Sequence, residues 1–297
     1  TLFIPPVLTT QASSSIPVSG LKLWLKADAI AGLANGASVD VWSDASGVGN
    51  HGGQTDPLKM PKWYGSVANG KPVVRFDGTT DYLSLGDPVS LTIQDEITII
   101  TVAKTNGGNA NGSKQTVYGR GSAVFTDIDY VGKSSRSFIR NATEQFVNMT
   151  ASLNPDFFNQ YTTTYSQANS SANYYVNGIL ATTQPFTGLI RDNPTDDLPN
   201  TIGALNTWHS DGVYMDRWLN GDIAEVIIYN RVLTDTDRKA VDQYLKNKYM
   251  TGEKPLPSNG RALWLKADDI NGLNDGGAVA VWNDSTGNGI NAGQIDP

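Results

Sequence analysis

Short runs of apolar and β-branched residues recur along positions 21–250 with turn residues between them, a spacing that predicts strand after strand. The runs fall at 21–26, 39–42, 72–76, 82–85, 97–103, 115–118, 123–131, 136–140, 145–149, 160–165, 173–180, 200–204 and 222–229. Asp77-Gly78, Asn111-Gly112, Asn177-Gly178 and Asn220-Gly221 separate several of them, and YYVNGILA reads as a hairpin around Asn177-Gly178. One helix is expected over 235–249: Thr234 can cap it, with Asp235 and Asp237 in the first turn and Lys246 and Lys248 in the last. Val241, Tyr244, Leu245 and the stem of Lys248 would share one face. The fold class that follows is all-β, a two-sheet antiparallel jelly-roll sandwich with one short C-terminal helix.

A repeat sets the domain organisation. Residues 21–57 and 261–297 align without a gap at an offset of 240, and 20 of 37 positions are identical. Trp24 pairs with Trp264, Asp28 with Asp268, Trp42 with Trp282 and Asp44 with Asp284. A unit that long suits one large β-domain rather than a solenoid repeat. The expected layout is a linker at 1–20, a complete domain at 21–250, a linker at 251–260 and the truncated start of a second copy at 261–297. The Pro-, Gly- and Ser-containing joints suit a secreted tandem-repeat protein.

Composition narrows the function. A net charge of −7 and a pI near 4.8 disfavour duplex DNA and anionic membranes as partners. No apolar run reaches the length that spans a bilayer, so membrane insertion is not expected. With no cysteine, disulfide frameworks and thiol nucleophiles are excluded.

Four blocks resemble a known family: LWLKADAI…VDVWSDASGVGNHGGQ, PVVRFDGTTDYLSL, NYYVNGILA and NGDIAEVIIYNRVLTDTDRKAVDQYLKNKY. Together they are similar to the laminin-G-like branch of the concanavalin A-like lectin/glucanase superfamily. The resemblance implies a jelly roll in a bacterial protein that is secreted or held at the cell surface, where such modules bind glycans or mediate adhesion.

Catalysis is not expected. The acid trio Glu-x-Asp-x-x-Glu of that superfamily's hydrolases is absent, and Asp95-Glu96 would point to opposite faces of a strand. Of the two histidines, His51 has Asn291 as its counterpart in the second copy. Calcium is a candidate cofactor at Asp77 and Asp81 in FDGTTDYL, where loop carboxylates supply the oxygens it takes. The same residues read more readily as turn formers, since Asp caps tight β-turns. Glu225, between Ile223 and Ile227, reads as a buried acid held by backbone amides, and Trp24 and Trp42 read as core. For a sugar, flat apolar rings beside polar groups are the relevant chemistry. Trp208, His209, Asp211 and Tyr214 supply it in one loop, with Trp63 and Tyr64 as a second aromatic pair. The reading is a non-catalytic extracellular module that binds a polysaccharide or glycoconjugate. The alternative is a structural repeat of a surface polymer, whose copies associate by strand donation without a sugar ligand.

Overall fold

The alternation in LKLWLK becomes a strand whose Leu21, Leu23 and Leu25 are buried while Lys22, Trp24 and Lys26 are half-buried. The computed structural model describes residues 16–109, 112, 114–192, 198–209, 212–250, 279–283 and 291–293. The chain divides into two compact units, Thr1–Thr251 and Gly252–Pro297.

In the first unit the strands are β1 (Leu21–Lys26), β2 (Val41–Trp42), β3 (Gly52–Gly53), β4 (Lys62–Ala68), β5 (Lys71–Asp77) and β6 (Leu83–Gly86). They continue with β7 (Glu96–Thr105), β8 (Lys114–Arg120), β9 (Val124–Asp129), β10 (Ser134–Arg140), β11 (Phe146–Ser152) and β12 (Asn159–Ser166). The last are β13 (Ser171–Val176), β14 (Ile179–Pro185), β15 (Asn200–Ile202), β16 (Leu205–His209), β17 (Gly212–Asp216) and β18 (Asn220–Tyr229), followed by α1 (Asp235–Leu245). The first sheet has the order β14-β13-β12-β7-β18-β5-β4, with β1 also on β18; the second runs β11-β10-β9-β8-β15-β6-β3-β2. All pairings are antiparallel. The expected two-sheet sandwich is the fold found.

Between the sheets lies a core that includes Leu23, Leu25, Trp42, Phe76, Ile99, Tyr118, Ile139, Tyr161, Tyr174 and Val226. Burying each such side chain contributes about 1.5–3 kcal/mol. A second cluster covers the outer face of the first sheet, where Val73, Ile100, Val102, Ile227 and Tyr229 meet Val241 and Leu245 of α1. Thr234 caps that helix, its Oγ1 accepting from the Asp237 amide at 3.1 Å. The Asn177-Gly178 hairpin forms as the dipeptide demands, with positive φ at both residues, 52° and 79°.

Several features depart from the sequence reading, among them the segment expected as a loop around Trp208 and Tyr214, which forms the strands β16 and β17. Strand β4 was not expected, because Gly65 and Ser66 dilute its pattern. A bulge at Ala224 shifts the phase of β18, so Ile223 faces the inter-sheet core while Ile227 faces α1. In the second unit the described strands β19 (Val281–Trp282) and β20 (Ala292–Gly293) pair as Val281 with Gly293 and Trp282 with Ala292. Val41 and Trp42 pair with Gly53 and Gly52 in the same register.

Candidate functional site

The residues singled out by repetition turn out to be structural. Trp24 lies on the outer face of the first sheet rather than in the inter-sheet core, because it alternates with Leu23 and Leu25. Its Nε1 donates to Glu225. Glu225 is fully buried, yet its partners are side chains and not the backbone amides expected: Tyr249 Oη at 2.7 Å, Lys248 Nζ at 2.9 Å and Tyr244 Oη at 3.3 Å. Burial, and then the charge of Glu225, push both tyrosine hydroxyls far above their ordinary range. Lys248 also reaches Asp28 at 2.9 Å. Asp44 organises the glycine-rich loop, accepting from the amides of Trp24, Ser46, Gly49 and Asn50. Burial raises its carboxyl, but the hydrogen bonds from Ser46, Trp24 and Asn50 outweigh it and hold the group below its usual value. His51 accepts from the Asp44 amide at 2.9 Å, as part of the same loop.

The expected sugar-site residues are dispersed. Asp211 lies outside the described residues. Trp208 and His209 end β16, which pairs with β17 as a ribbon of its own; Tyr214 on β17 is exposed. Trp63 is half-buried, packs against the inter-sheet core and donates its Nε1 to the Ala27 carbonyl at 3.0 Å. Tyr64 belongs to the outer cluster of the first sheet, with the Arg75 guanidinium 4.5 Å over its ring.

Asp77 closes a turn. Its Oδ1 accepts from the amides of Thr79, Thr80 and Asp81 at 2.8–3.0 Å, and its Oδ2 from the hydroxyls of Thr79 and Thr80. Burial opposes its ionisation, yet these donors hold the carboxyl well below the usual range. A calcium ion would compete with five donors already in place. Among the described residues no three His, Cys, Asp or Glu side chains converge in a metal-binding group. The donor set therefore fits a turn better than a calcium centre.

Asp81 is buried, and burial first, then the charge of Asp77, push its carboxyl up to about 7 against an opposing pull from Lys62. Since the ordinary value is 3.8, the folded state holds the proton more tightly than the unfolded chain. This contribution is fully present below that ordinary value and is lost as pH rises through about 7. Asp81→Asn is expected to flatten the decline and to stabilise the fold by about 2 kcal/mol at pH 8. Melting curves of the variant and parent from pH 4 to 8 check it; superimposable pH profiles would contradict the assignment.

The chemistry best suited to a ligand lies on the outer face of the second sheet, where the register aligns side chains distant in sequence. Phe125 of β9 pairs with Phe138 of β10, whose neighbour on β11 is Asn148. The Phe125 and Phe138 rings stack at 4.6 Å with 5° between planes, and Phe138 stacks on Phe146 at 5.5 Å. Guanidiniums lie over the ladder: Arg136 and Arg217 each sit 4.9 Å from Phe125, and Arg140 sits 5.4 Å from Phe138. Asp127, fully buried on this face, receives Arg136, Arg217 at 3.1 Å and the Thr116 hydroxyl at 2.6 Å.

The β16–β17 ribbon is rooted here. Leu205 clusters with Phe125 and Phe138, and a Cβ on Gly119 would stand 2.5 Å from its Cδ1, so a side chain there would displace Leu205. Phe125 and Phe138 are covered, but Phe146 is 55% exposed, and on β11 it continues into a solvent-facing row with Asn148 and Thr150. The period-two strings Arg136-x-Phe138-x-Arg140 and Phe146-x-Asn148-x-Thr150 carry this face in the sequence. Only the strand register shows that they meet.

Residues 77–237, more than half of the chain, match the laminin-G-type family model of the concanavalin A-like lectin/glucanases superfamily. No curated protein matches the chain. Among solved structures, the binding domain of paraclostridial mosquitocidal protein 1 is similar with a TM-score of 0.56 at 12% identity, covering 77% of this chain and 53% of that one. The binding domain of botulinum neurotoxin DC in complex with SialylT gives 0.48 at 13% identity, with 77% and 52% covered. The botulinum neurotoxin type G receptor-binding domain gives 0.49 at 13%, with 76% and 51% covered. The chain thus spans about half the length of these solved domains, and at such identities the likeness is one of fold.

Proposed function

We propose that this chain, which belongs to the concanavalin A-like lectin/glucanases superfamily, is a non-catalytic extracellular module that binds a polysaccharide or glycoconjugate through the outer face of its second sheet. The single observation that carries the reading is the exposed Phe146–Asn148–Thr150 row beside the Phe/Arg ladder. An exposed ring can take the apolar face of a pyranose while neighbouring amides and hydroxyls meet its hydroxyl groups. The ribbon carrying Trp208 and Tyr214 is rooted on the same face through Leu205, which supports including those two residues in the proposal. The mosquitocidal-protein neighbour is itself a binding domain, a role of the same kind.

A non-catalytic role agrees with how three of the buried acids are used. Asp222 is clamped by Arg75 at 2.6 and 3.0 Å, Asp127 by two arginines, and Glu225 by Lys248. None of these carboxylates is left to act as a general acid or base.

A screen against immobilised polysaccharides and a glycan array, with and without chelator, tests the reading. Phe146→Ala and Trp208→Ala are each expected to weaken the bound glycan by about 1–2 kcal/mol, roughly tenfold. Chelation is expected to change neither binding nor melting temperature. No retention across the panel, or full affinity in both variants, would overturn the assignment.

A further inference from the structure

One corner of this face holds a carboxylate that belongs to the protein itself. Asn141 folds the β10–β11 turn by accepting from the Thr143 and Gln145 amides, and it donates to the Thr187 carbonyl at 2.9 Å. The Arg191 amide donates to the Arg140 carbonyl at 2.8 Å, which brings the two arginines side by side. Between them stands Glu144, with Oε2 3.4 Å from Arg140 Nη1 and Oε1 3.4 Å from Arg191 Nη1. Both separations exceed the 2.7–2.9 Å or so of a strong guanidinium–carboxylate bond. The Glu144 side chain is 59% exposed, and its backbone sits at φ 66°, a conformation that disfavours a non-glycine residue. Beside it opens a groove of about 550 Å³ lined by Gln145, Phe146, Pro185, Phe186 and Thr187.

We propose that this corner binds the carboxylate of an acidic sugar, which displaces Glu144 from Arg140 and Arg191 while the sugar ring rests on Phe146. The proposal rests on the glycan-binding reading and adds the class of ligand. Two guanidiniums held at one carboxylate are matched to a planar, bidentate acceptor rather than to neutral hydroxyls. Glu144 is exposed and both of its contacts are long, so releasing it gives up little, and an incoming carboxylate with better geometry recovers more. Phe146 and the groove supply the apolar contact that a free anion would not use, which favours a sugar acid over an inorganic ion.

The test is titration calorimetry with oligogalacturonate and with the same oligomer fully methyl-esterified, which keeps the sugar and removes the charge. The acid is expected to bind about tenfold or more tightly than the ester. Arg191→Gln should remove that preference, and Glu144→Gln should strengthen the acid about threefold or more, leaving the ester unchanged. Equal binding of acid and ester, both weakened by Phe146→Ala, would overturn the acidic-sugar claim and leave the binding face intact. No binding of either oligomer, or equal binding of a polyglutamate peptide, would also overturn it, and the polysaccharide screen then judges the broader reading by itself. Melting temperatures of the variants separate a lost contact from a lost fold, and Glu144→Gln, a near-isosteric change at an exposed side chain, keeps the test open if Arg191→Gln unfolds.

Discussion

Glu225→Ala is expected to destabilise the sandwich by about 3–5 kcal/mol, the range for removing one partner of a buried ion pair. The substitution leaves Lys248, whose side chain is only 10% exposed, with Asp28 as its remaining carboxylate, and takes the Glu225 acceptor from the Trp24 indole and the Tyr244 and Tyr249 hydroxyls. It also loosens Trp24 of β1 and Tyr244 of α1 together, since both side chains meet at this one carboxylate. Urea melts read the loss as a lower midpoint at constant slope. The double variant Glu225→Leu, Lys248→Met should recover part of it, because apolar residues of similar volume replace the buried pair, and Asp28, which loses Lys248, keeps 33% of its side chain in water. A loss under about 1 kcal/mol in Glu225→Ala would contradict the role given to this residue.

Asp127→Ala should cost about 2–4 kcal/mol and should do so locally. Asp127 is fully buried, whereas Arg136 and Arg217 keep some contact with water, 18% and 28% of their side chains. The two guanidiniums can therefore regain solvent, which places the expected loss below that for Glu225. Arg217 follows β17 directly, and its carbonyl accepts from the Thr116 amide at 2.8 Å, so the carboxylate ties the ribbon to the sheet. Amide exchange in 205–216 is expected to accelerate more than exchange in β7 or β18. Uniform acceleration across the sandwich, or none, would contradict this picture.

The strands, the hairpin at Asn177-Gly178 and the capped helix were legible because each is written in local residues: alternation, a dipeptide with positive φ, and a threonine three residues before its amide donor. Glu225 was read as buried but with the wrong partners. The bulge at Ala224 that turns it beneath α1 leaves no mark in composition or periodicity. Trp63 carried the right chemistry for a sugar platform, yet its place on β4 hands its indole N–H to Ala27. The Phe125–Phe138–Phe146 ladder was missed for a different reason. Its members come from three strands, and only hydrogen-bond register brings residues so far apart in sequence into one stack. A sequence read along a line does not show adjacency across a sheet.

The central claim is that the outer face of the second sheet binds glycan. Hydrogen-exchange mass spectrometry of the full chain, with and without the glycan retained best in the screen, tests it most directly. The expected result is added protection in β10, β11 and residues 205–216, with β5, β18 and α1 unchanged. Protection confined to the α1 side of the first sheet, with β10 and β11 unaltered, would contradict it.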